Sequence, residues 1–144
     1  MPNSGDIDSA LLAYLGSDAQ LLALCPNGAY YGEAPPGMTR FVIVQMLTEF
    51  DEGVFQTRAI EDALVMVEAR GLIEPGKPQP NMKAAAARID ELLEGGTLTV
   101  AGYNTMHIHR EERIRDIEVD DENPDIRWDR RGGHYRVQMS LVGA

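Results

Sequence analysis

Apolar side chains near the start of the chain recur with the period of a helix. The first helix is predicted by positions i, i+4, i+7 and i+8, which are Ile7, Leu11, Tyr14 and Leu15. Gly16 offers a C-terminal stop, and Ser17, three residues before Gln20, predicts a capping box for a second short helix. Prolines and glycines from Pro26 to Gly37 then predict a loop around a very short strand.

Two apolar runs in the middle of the chain predict a pair of strands. Residues 40–50 are β-branched, aromatic and apolar on both alternating faces, which predicts a central strand or one whose second face meets another subunit. The sequence D-E-G at 51–53 predicts a turn. Residues 59–72 contain alanines and glutamates that favour a helix, but their alternation favours a strand. We interpret this run as a strand, because a hairpin is the simplest connection after a single turn.

The second half of the chain contains the clearest helix and a series of strands. The helix is capped by Asn81, ends at Gly95, and has an apolar face formed by Met82, Ala85, Ala86, Ile89, Leu92 and Leu93. Three or four strands are predicted after it: T-L-T-V-A-G, T-M-H-I-H, I-R-D-I-E-V and H-Y-R-V-Q-M-S-L-V. This order predicts one α+β domain spanning 1–144, with an antiparallel β-sheet of about four to six strands and two or three α-helices packed on one face.

The composition fits one soluble domain and excludes several classes of protein. At 144 residues the chain is long enough for a core without disulfides, and its lone cysteine, Cys25, precludes an internal disulfide. We interpret Cys25 as a buried hydrophobe and not as a nucleophile. No secretory leader or membrane span is expected. The net charge of −10 disfavours binding to a nucleic-acid backbone, which needs a basic face.

His107 and His109 raise the question of a metal site. They are spaced i, i+2, so on a strand both point to one face, and Glu111 or His134 could be a third ligand. Their alternation with Met106 and Ile108 is equally typical of a half-buried strand that binds nothing. Because no metal, nucleotide or hydrolase motif is present, we expect no enzyme, no cofactor and no metal. A small metal-dependent hydrolase is the alternative, and metal analysis of the purified protein tests it.

Charge is densest in the segment from Arg110 to Arg136, which contains nine acidic and seven basic residues, its two ends included. A solvated sheet face with an acidic D-D-E-N-P-D loop is one interpretation. Ion pairs between subunits, which fix partner and register, are the other. The apolar alternation slips between Ile114 and Ile117, which predicts a β-bulge within 111–116. The R-G-G sequence at 131–133 is interpreted as a tight turn before the last strand.

Taken in order, these segments resemble the tail completion, or tail terminator, proteins of long-tailed bacteriophages and gene transfer agents. The resemblance is carried by D-I-D-S-A-L-L-A-Y-L, S-D-A-Q-L-L-A-L, G-A-Y-Y-G-E-A-P-P-G, R-F-V-I-V-Q-M, F-Q-T-R-A-I-E-D-A-L-V-M-V-E-A, A-A-A-A-R-I-D-E-L-L, R-E-E-R-I-R-D-I-E-V and G-G-H-Y-R-V-Q-M. It covers nearly the whole chain and rests on order and spacing, since this family has no catalytic signature.

The resemblance implies a structural virion protein made in the host cytoplasm and located at the head–tail interface. Such proteins are expected to form a homo-oligomeric ring, commonly six-fold, that caps the tail tube and ends its polymerisation. The implied partners are the tail tube protein and the head connector proteins, while genomic DNA passes through without specific binding. A connector subunit at the same joint is an alternative, and an acidic monomeric inhibitor that mimics DNA or binds a host enzyme is another.

Charged residues and loops are the expected contacts of such a ring. The regions 50–58 and 119–128 are expected to be mobile and to reach neighbouring proteins, whereas Trp128 is interpreted as a partly buried anchor. The candidate subunit or partner interface comprises Arg110, Glu111, Glu112, Arg113, Arg115, Phe50, Phe55, Arg58, Arg130 and Arg131.

Reversing the charge of both Arg113 and Arg115 is expected to weaken ring assembly while leaving the monomer folded. Native mass spectrometry measures the assembly and circular dichroism measures the fold. Unchanged assembly would remove the ion-pair interpretation.

Overall fold

The computed structural model describes residues 4–54, 57–100 and 102–141, apart from the side chains of residues 4–6, 48–54, 57–61, 106 and 141. Its elements in chain order are α1 (Ser4–Gly16), α2 (Ala19–Leu24), β1 (Ala29–Tyr31), β2 (Arg40–Val54), β3 (Thr57–Ile73), α3 (Met82–Leu93), β4 (Tyr103–Val119) and β5 (Arg127–Leu141). Within these ranges, every helix is too short or too polar to cross a membrane.

The five strands form one sheet in the order β1-β2-β3-β5-β4. The four long strands pair antiparallel with one another, which confirms the α+β prediction with five strands and three helices. The short strand β1 instead runs parallel to β2, so the sheet is mixed and not purely antiparallel. The reason is the loop 32–39, which returns the chain to the end of the sheet where β1 began, as a parallel pair requires.

The main core lies between the helices and one face of the sheet, which we call the helix face. Helix residues pack there against alternate strand residues, and the buried set includes Ile7, Leu11, Leu15, Leu21, Met82, Ile89, Leu93, Val42, Val44, Val65, Val67, Ile108, Tyr135, Val137 and Met139. Full burial of one such large apolar side chain contributes about 1.5–3 kcal/mol, so this layer supplies most of the driving force for folding.

The opposite side of the sheet, which we call the open face, has a smaller apolar cluster of Phe41, Ile43 and Met66. This cluster explains why β2 is apolar on both faces without a second subunit. Val42 and Val44 lie in the main core, and their neighbours Phe41 and Ile43 lie in the open-face cluster.

The predicted capping box at Ser17 is wrong, because α2 is capped by Asp18. The Asp18 carboxylate accepts a hydrogen bond from Leu21 N at 2.9 Å, while Ser17 Oγ donates to the carbonyl of Tyr14 at 3.1 Å. Asp18 also pairs with Arg88 of α3 at 2.8 Å, so one carboxylate caps α2 and ties it to α3. The prediction that Asn81 caps α3 is confirmed, since Asn81 Oδ1 accepts from Ala84 N.

Replacing Asp18 with asparagine is expected to reduce the loss of unfolding free energy that occurs as pH falls into the acid range. The hydrogen bond from Arg88, more than any other contact, holds the pKa of Asp18 below its usual value. A depressed folded-state pKa gives stability that is present above the unfolded value of about 3.9 and is lost as pH falls through the folded value. The urea midpoint of the wild type should therefore be higher than that of Asp18→Asn at pH 7, and the two midpoints should converge as pH falls to 2.

Asparagine also caps helices well, so Asp18→Asn keeps the N-cap and removes only the charge. A constant difference between the two proteins at every pH would contradict an ionic contribution from Asp18 and Arg88.

Three predicted boundaries in the strand region are corrected by the structure. The D-E-G turn is wrong, because residues 51–53 lie inside β2 and pair with β3. The T-L-T-V-A-G strand is also wrong: Val100 makes a single bridge to Tyr103, and Gly102 (φ 84°) turns the chain into β4. The segments T-M-H-I-H and I-R-D-I-E-V are one continuous strand, β4, interrupted by register shifts.

The R-G-G sequence does not form a turn, because Gly132 and Gly133 lie inside β5. At Gly132 a Cβ atom would collide with the backbone of Val67 and would stand 2.5 Å from the Cα of Glu68 on β3. At Gly133 it would stand 2.7 Å from the carbonyl oxygen of Glu112 on β4. The glycine pair therefore lets the backbones of three strands approach closely at the centre of the sheet.

Candidate functional site

The open face carries a buried carboxylate, Glu68, held by two arginines. Glu68 lies on β3 opposite Gly132 and is fully buried. Arg130 donates to both of its oxygens at 3.0 and 3.1 Å, and Arg70 donates to Oε1 at 2.5 Å. The hydrogen bond to Glu68 is the main reason why the pKa of Arg130 is raised. This cluster links β3 to β5 by charge-assisted bonds, which are the stronger kind.

A second cluster on the open face joins three strands through Arg136. Arg136 donates to Asp62 on β3 at 3.0 Å and to both oxygens of Glu111 on β4 at 2.8 and 3.2 Å. Gln138 donates to the other oxygen of Asp62. The hydrogen bond from Arg136 holds the pKa of Glu111 below its usual range.

The predicted bulge in β4 is confirmed at Glu111. The register with β5 shifts between Arg110 and Glu112, so Glu111 has no partner residue of its own. The shift turns Ile114 to the open face, where it packs against the Phe41, Ile43 and Met66 cluster, while Ile117 is left 46% exposed. Trp128 is half-buried and meets Phe41 edge-to-face at 5.6 Å, as expected of an anchor.

Five of the ten predicted interface residues are bound by other side chains of the same chain. Arg110 pairs with Asp90 at 3.2 Å and Arg131 with Asp129 at 3.1 Å, while the Glu112 carboxylate lies 3.1 Å from the imidazole of His134. With Glu111 and Arg130, these residues are thus already engaged in the monomer. A role between subunits stays a prediction for each of them.

The remaining predicted contacts differ in how far the structure describes them. Arg113 and Arg115 are exposed on β4 and make no ion pair with any described residue. Phe50 and Arg58 lie in β2 and β3, but their side chains are outside the described part of the chain. Phe55 lies outside the described residues altogether. The expected mobile region 50–58 is strand wherever it is described.

The two histidines of β4 lie together on the open face, and no described side chain completes a metal site with them. The rings of His107 and His109 are 4.6 Å apart, and Ile108 between them is fully buried. Glu111 is occupied by Arg136, and His134 is opposite Glu112, four residues along β5 from the partner of His107. No group of three metal-ligating side chains occurs in the described part of the chain.

Cys25 is buried at the end of α2, in agreement with its interpretation as a small core hydrophobe. Burial raises the pKa of its thiol to about 12, so the reactive thiolate is negligible at neutral pH.

A cleft of about 370 Å³ separates α3 from β4 and β5, and we call it the basic cleft. Its basic lining residues are Lys83, Arg110, Arg113, Arg115 and Arg131. Only two acidic residues line it, Asp90 and Glu91, in a protein whose net charge is −10. Asp90 is bound by Arg110 and by the hydroxyl of Tyr135, and Glu91 is bound by Arg88.

The cations left over in this cleft are Lys83, Arg113 and Arg115, which form no ion pair within the described ranges. Pattern analysis of the sequence missed the cleft, because Lys83 is 30 positions before Arg113 and only the packing of α3 on the sheet brings them together. The feature of the sequence that could have indicated the cleft is the excess of arginine in R-E-E-R-I-R.

The turn between β4 and β5, residues 120–126, is acidic and internally ordered; we call it the acidic turn. Asp120 Oδ1 accepts hydrogen bonds from the backbone N–H groups of Glu122 and Asn123, both at 2.9 Å. Asp120 N in turn donates to the carbonyl of Ile126. The carboxylates of Asp121, Glu122 and Asp125 remain exposed to solvent and make no ion pair with a described side chain.

No family model and no curated protein matches the sequence. Two solved structures share the fold over nearly the full length of both chains. One is described as the virion of a native gene transfer agent particle; it is 19% identical, with a TM-score of 0.61 over 95% of this chain and 96% of its own. The other is 10% identical, with a TM-score of 0.58 over 99% of this chain and 97% of its own. At these identities the likeness establishes one thing: the chain has the fold of a protein found in a virion.

Proposed function

We propose that the protein is a structural virion protein, without catalytic activity, whose copies form a six-fold ring on the end of a tail tube. The ring ends polymerisation of the tube and joins the tail to the head connector. The observation that carries the proposal is the shared fold, over 95% of this chain, with a chain from a gene transfer agent virion. The order of its segments, which resembles the tail terminator family, supports the more specific role.

The edge of the sheet supports self-association. β4 is an edge strand of 17 residues, and an edge of that length offers unpaired backbone groups to another chain. Beyond the cover of α3, its apolar residues Ile117 and Val119 are 46% and 45% exposed. An uncovered apolar edge is typical of a surface that another copy buries.

The charge of the protein supports passage of DNA through such a ring. A net charge of −10 repels the phosphate backbone, so DNA can slide past without sticking. The open face also fits a rigid ring component, because Glu68 and Asp62 fix three strands to one another through arginines.

Negative-stain electron microscopy of the protein mixed with purified tail tubes, together with the mass of the complex, tests this function. The expected result is a six-fold ring on one end of each tube. A ring that binds isolated head connectors and ignores tubes would reassign the protein as a connector subunit. Protein that binds neither and stays monomeric would overturn the proposal.

A further inference from the structure

The basic cleft contains more basic than acidic side chains that lack a partner within the described ranges. Its three free cations, Lys83, Arg113 and Arg115, converge from α3 and β4 on one depression. Two of them project from the part of β4 that lies beyond the bulge, on the same side as the exposed Ile117 and Val119. Because like charges gathered in a cleft repel one another, the arrangement favours an anionic occupant.

The chain carries an anionic segment that matches this cleft. The acidic turn presents three free carboxylates, those of Asp121, Glu122 and Asp125, against the three free cations. The turn is already folded, because Asp120 bonds to the backbone of Glu122 and Asn123. A preorganised loop loses little conformational entropy when it binds.

The turn cannot reach the cleft of its own molecule. Val119, the last residue of β4, follows Arg115 by four residues of extended strand, which span about 14 Å at ~3.4 Å per residue, and the acidic turn begins beyond it. β4 stays paired with β5 as far as Val119 and Arg127, so the strand cannot fold back. If the acidic turn is the occupant, it must therefore belong to another copy of the chain.

We infer that the basic cleft of each subunit receives the acidic turn of the next subunit. This inference rests on the proposed ring and names the two surfaces that hold it together. The cleft and the turn are different surfaces of one molecule, so the contact is head-to-tail. A head-to-tail contact closes into a ring when its rotation fits, whereas a face-to-face contact stops at a dimer.

Two charge-reversed variants test the inference. In the cleft variant, Arg113→Glu and Arg115→Glu make the cleft acidic; in the turn variant, Asp121→Lys and Glu122→Lys make the turn basic. Each variant alone places like charges at every contact. The concentration needed for half-assembly, measured by sedimentation velocity with tail tubes present if the wild type requires them, should rise at least about tenfold. All four side chains are exposed, so each monomer should keep its fold.

The most decisive experiment mixes the two variants in equal amounts. An acidic cleft then meets a basic turn at one contact, and a basic cleft meets an acidic turn at the next, so an alternating ring of even number should form. Mass spectrometry should find the two variants in equal numbers. The matched control, Lys77→Glu with Arg40→Glu, reverses two exposed cations outside the cleft and should assemble like the wild type.

Rings formed by either variant alone at the concentration that the wild type needs would overturn the inference. So would a mixture of the variants that stays unassembled while the wild type forms rings. Both results would leave the proposed function intact. A wild-type protein that forms no ring, alone or on tubes, would overturn the proposed function as well.

Discussion

Gly132→Ala is expected to destabilise the protein by about 3 kcal/mol or more, or to prevent folding altogether. The new Cβ would collide with the backbone of Val67 and Glu68, and backbone atoms held in a central strand pair cannot move aside as a side chain could. The clash therefore has to be relieved by separating β3 from β5, the pair at the middle of the sheet.

Urea denaturation followed by circular dichroism measures this effect, and Gly16→Ala is the matched control. Apart from the neighbouring residues and the backbone of α1 itself, no described atom lies within 4 Å of the Cβ position at Gly16, and this glycine ends α1 in an ordinary backbone conformation. The control should be neutral or slightly stabilising, because alanine favours a helix. Equal unfolding midpoints for the two variants would contradict the close strand approach at Gly132.

Glu68→Ala is expected to cost about 3 kcal/mol of unfolding free energy at pH 7, the lower end for breaking a buried ion pair. Arg70 and Arg130 would lose their shared buried carboxylate, and Arg130 would keep its longer contact to Glu118 at 3.6 Å. The two arginine side chains are 23% and 24% exposed, so each can partly turn to water, which limits the loss.

The matched control is Glu74→Ala, which removes a carboxylate that pairs with Lys77 on the surface. Exposed pairs of this kind contribute little, so the control should change the unfolding free energy by less than about 1 kcal/mol. If Glu68→Ala proves as mild as Glu74→Ala in urea titrations, the Glu68 cluster does not hold β3 against β5.

Local pattern was enough to predict most of the elements. The helical spacing of apolar residues before Gly95 and their alternation around Val137 each predicted one buried face. Both faces are buried in the structure. The strand at 59–72 was ambiguous by composition. Ala63, Val65, Val67 and Ala69 pack under the helices. Asp62 and Glu68 face the arginines of β5, so tertiary context made the run a strand.

The errors arose where a residue's partner is distant in sequence. Ser17 and Asp18 are both good caps, and Arg88, seventy positions later, adds an ion pair to the cap at Asp18. Gly132 looked like a turn residue because the close approach of β3 is invisible in its local sequence. The basic cleft was missed for the same reason, since α3 supplies Lys83 and β4 supplies the arginines.

The ion pairs within the chain also disfavour the alternative that the protein is an acidic inhibitor that mimics DNA. Such a mimic needs free acids spaced like phosphates, but Glu68, Asp62, Glu111 and Asp129 are each neutralised by an arginine of the same chain. The free carboxylates of 110–136 include those of the acidic turn, which form a compact group. That distribution favours a protein–protein contact over imitation of a nucleic-acid backbone.

The central claim is that a ring of this protein stops growth of the tail tube. Its most direct test is to add the protein to polymerising tail tube subunits at about one ring per tube and to measure tube length over time by electron microscopy. We predict that lengths stop increasing, that a ring is visible on the tube ends, and that fresh subunits do not extend the capped tubes. Tubes that elongate at the same rate with and without the protein would contradict the claim.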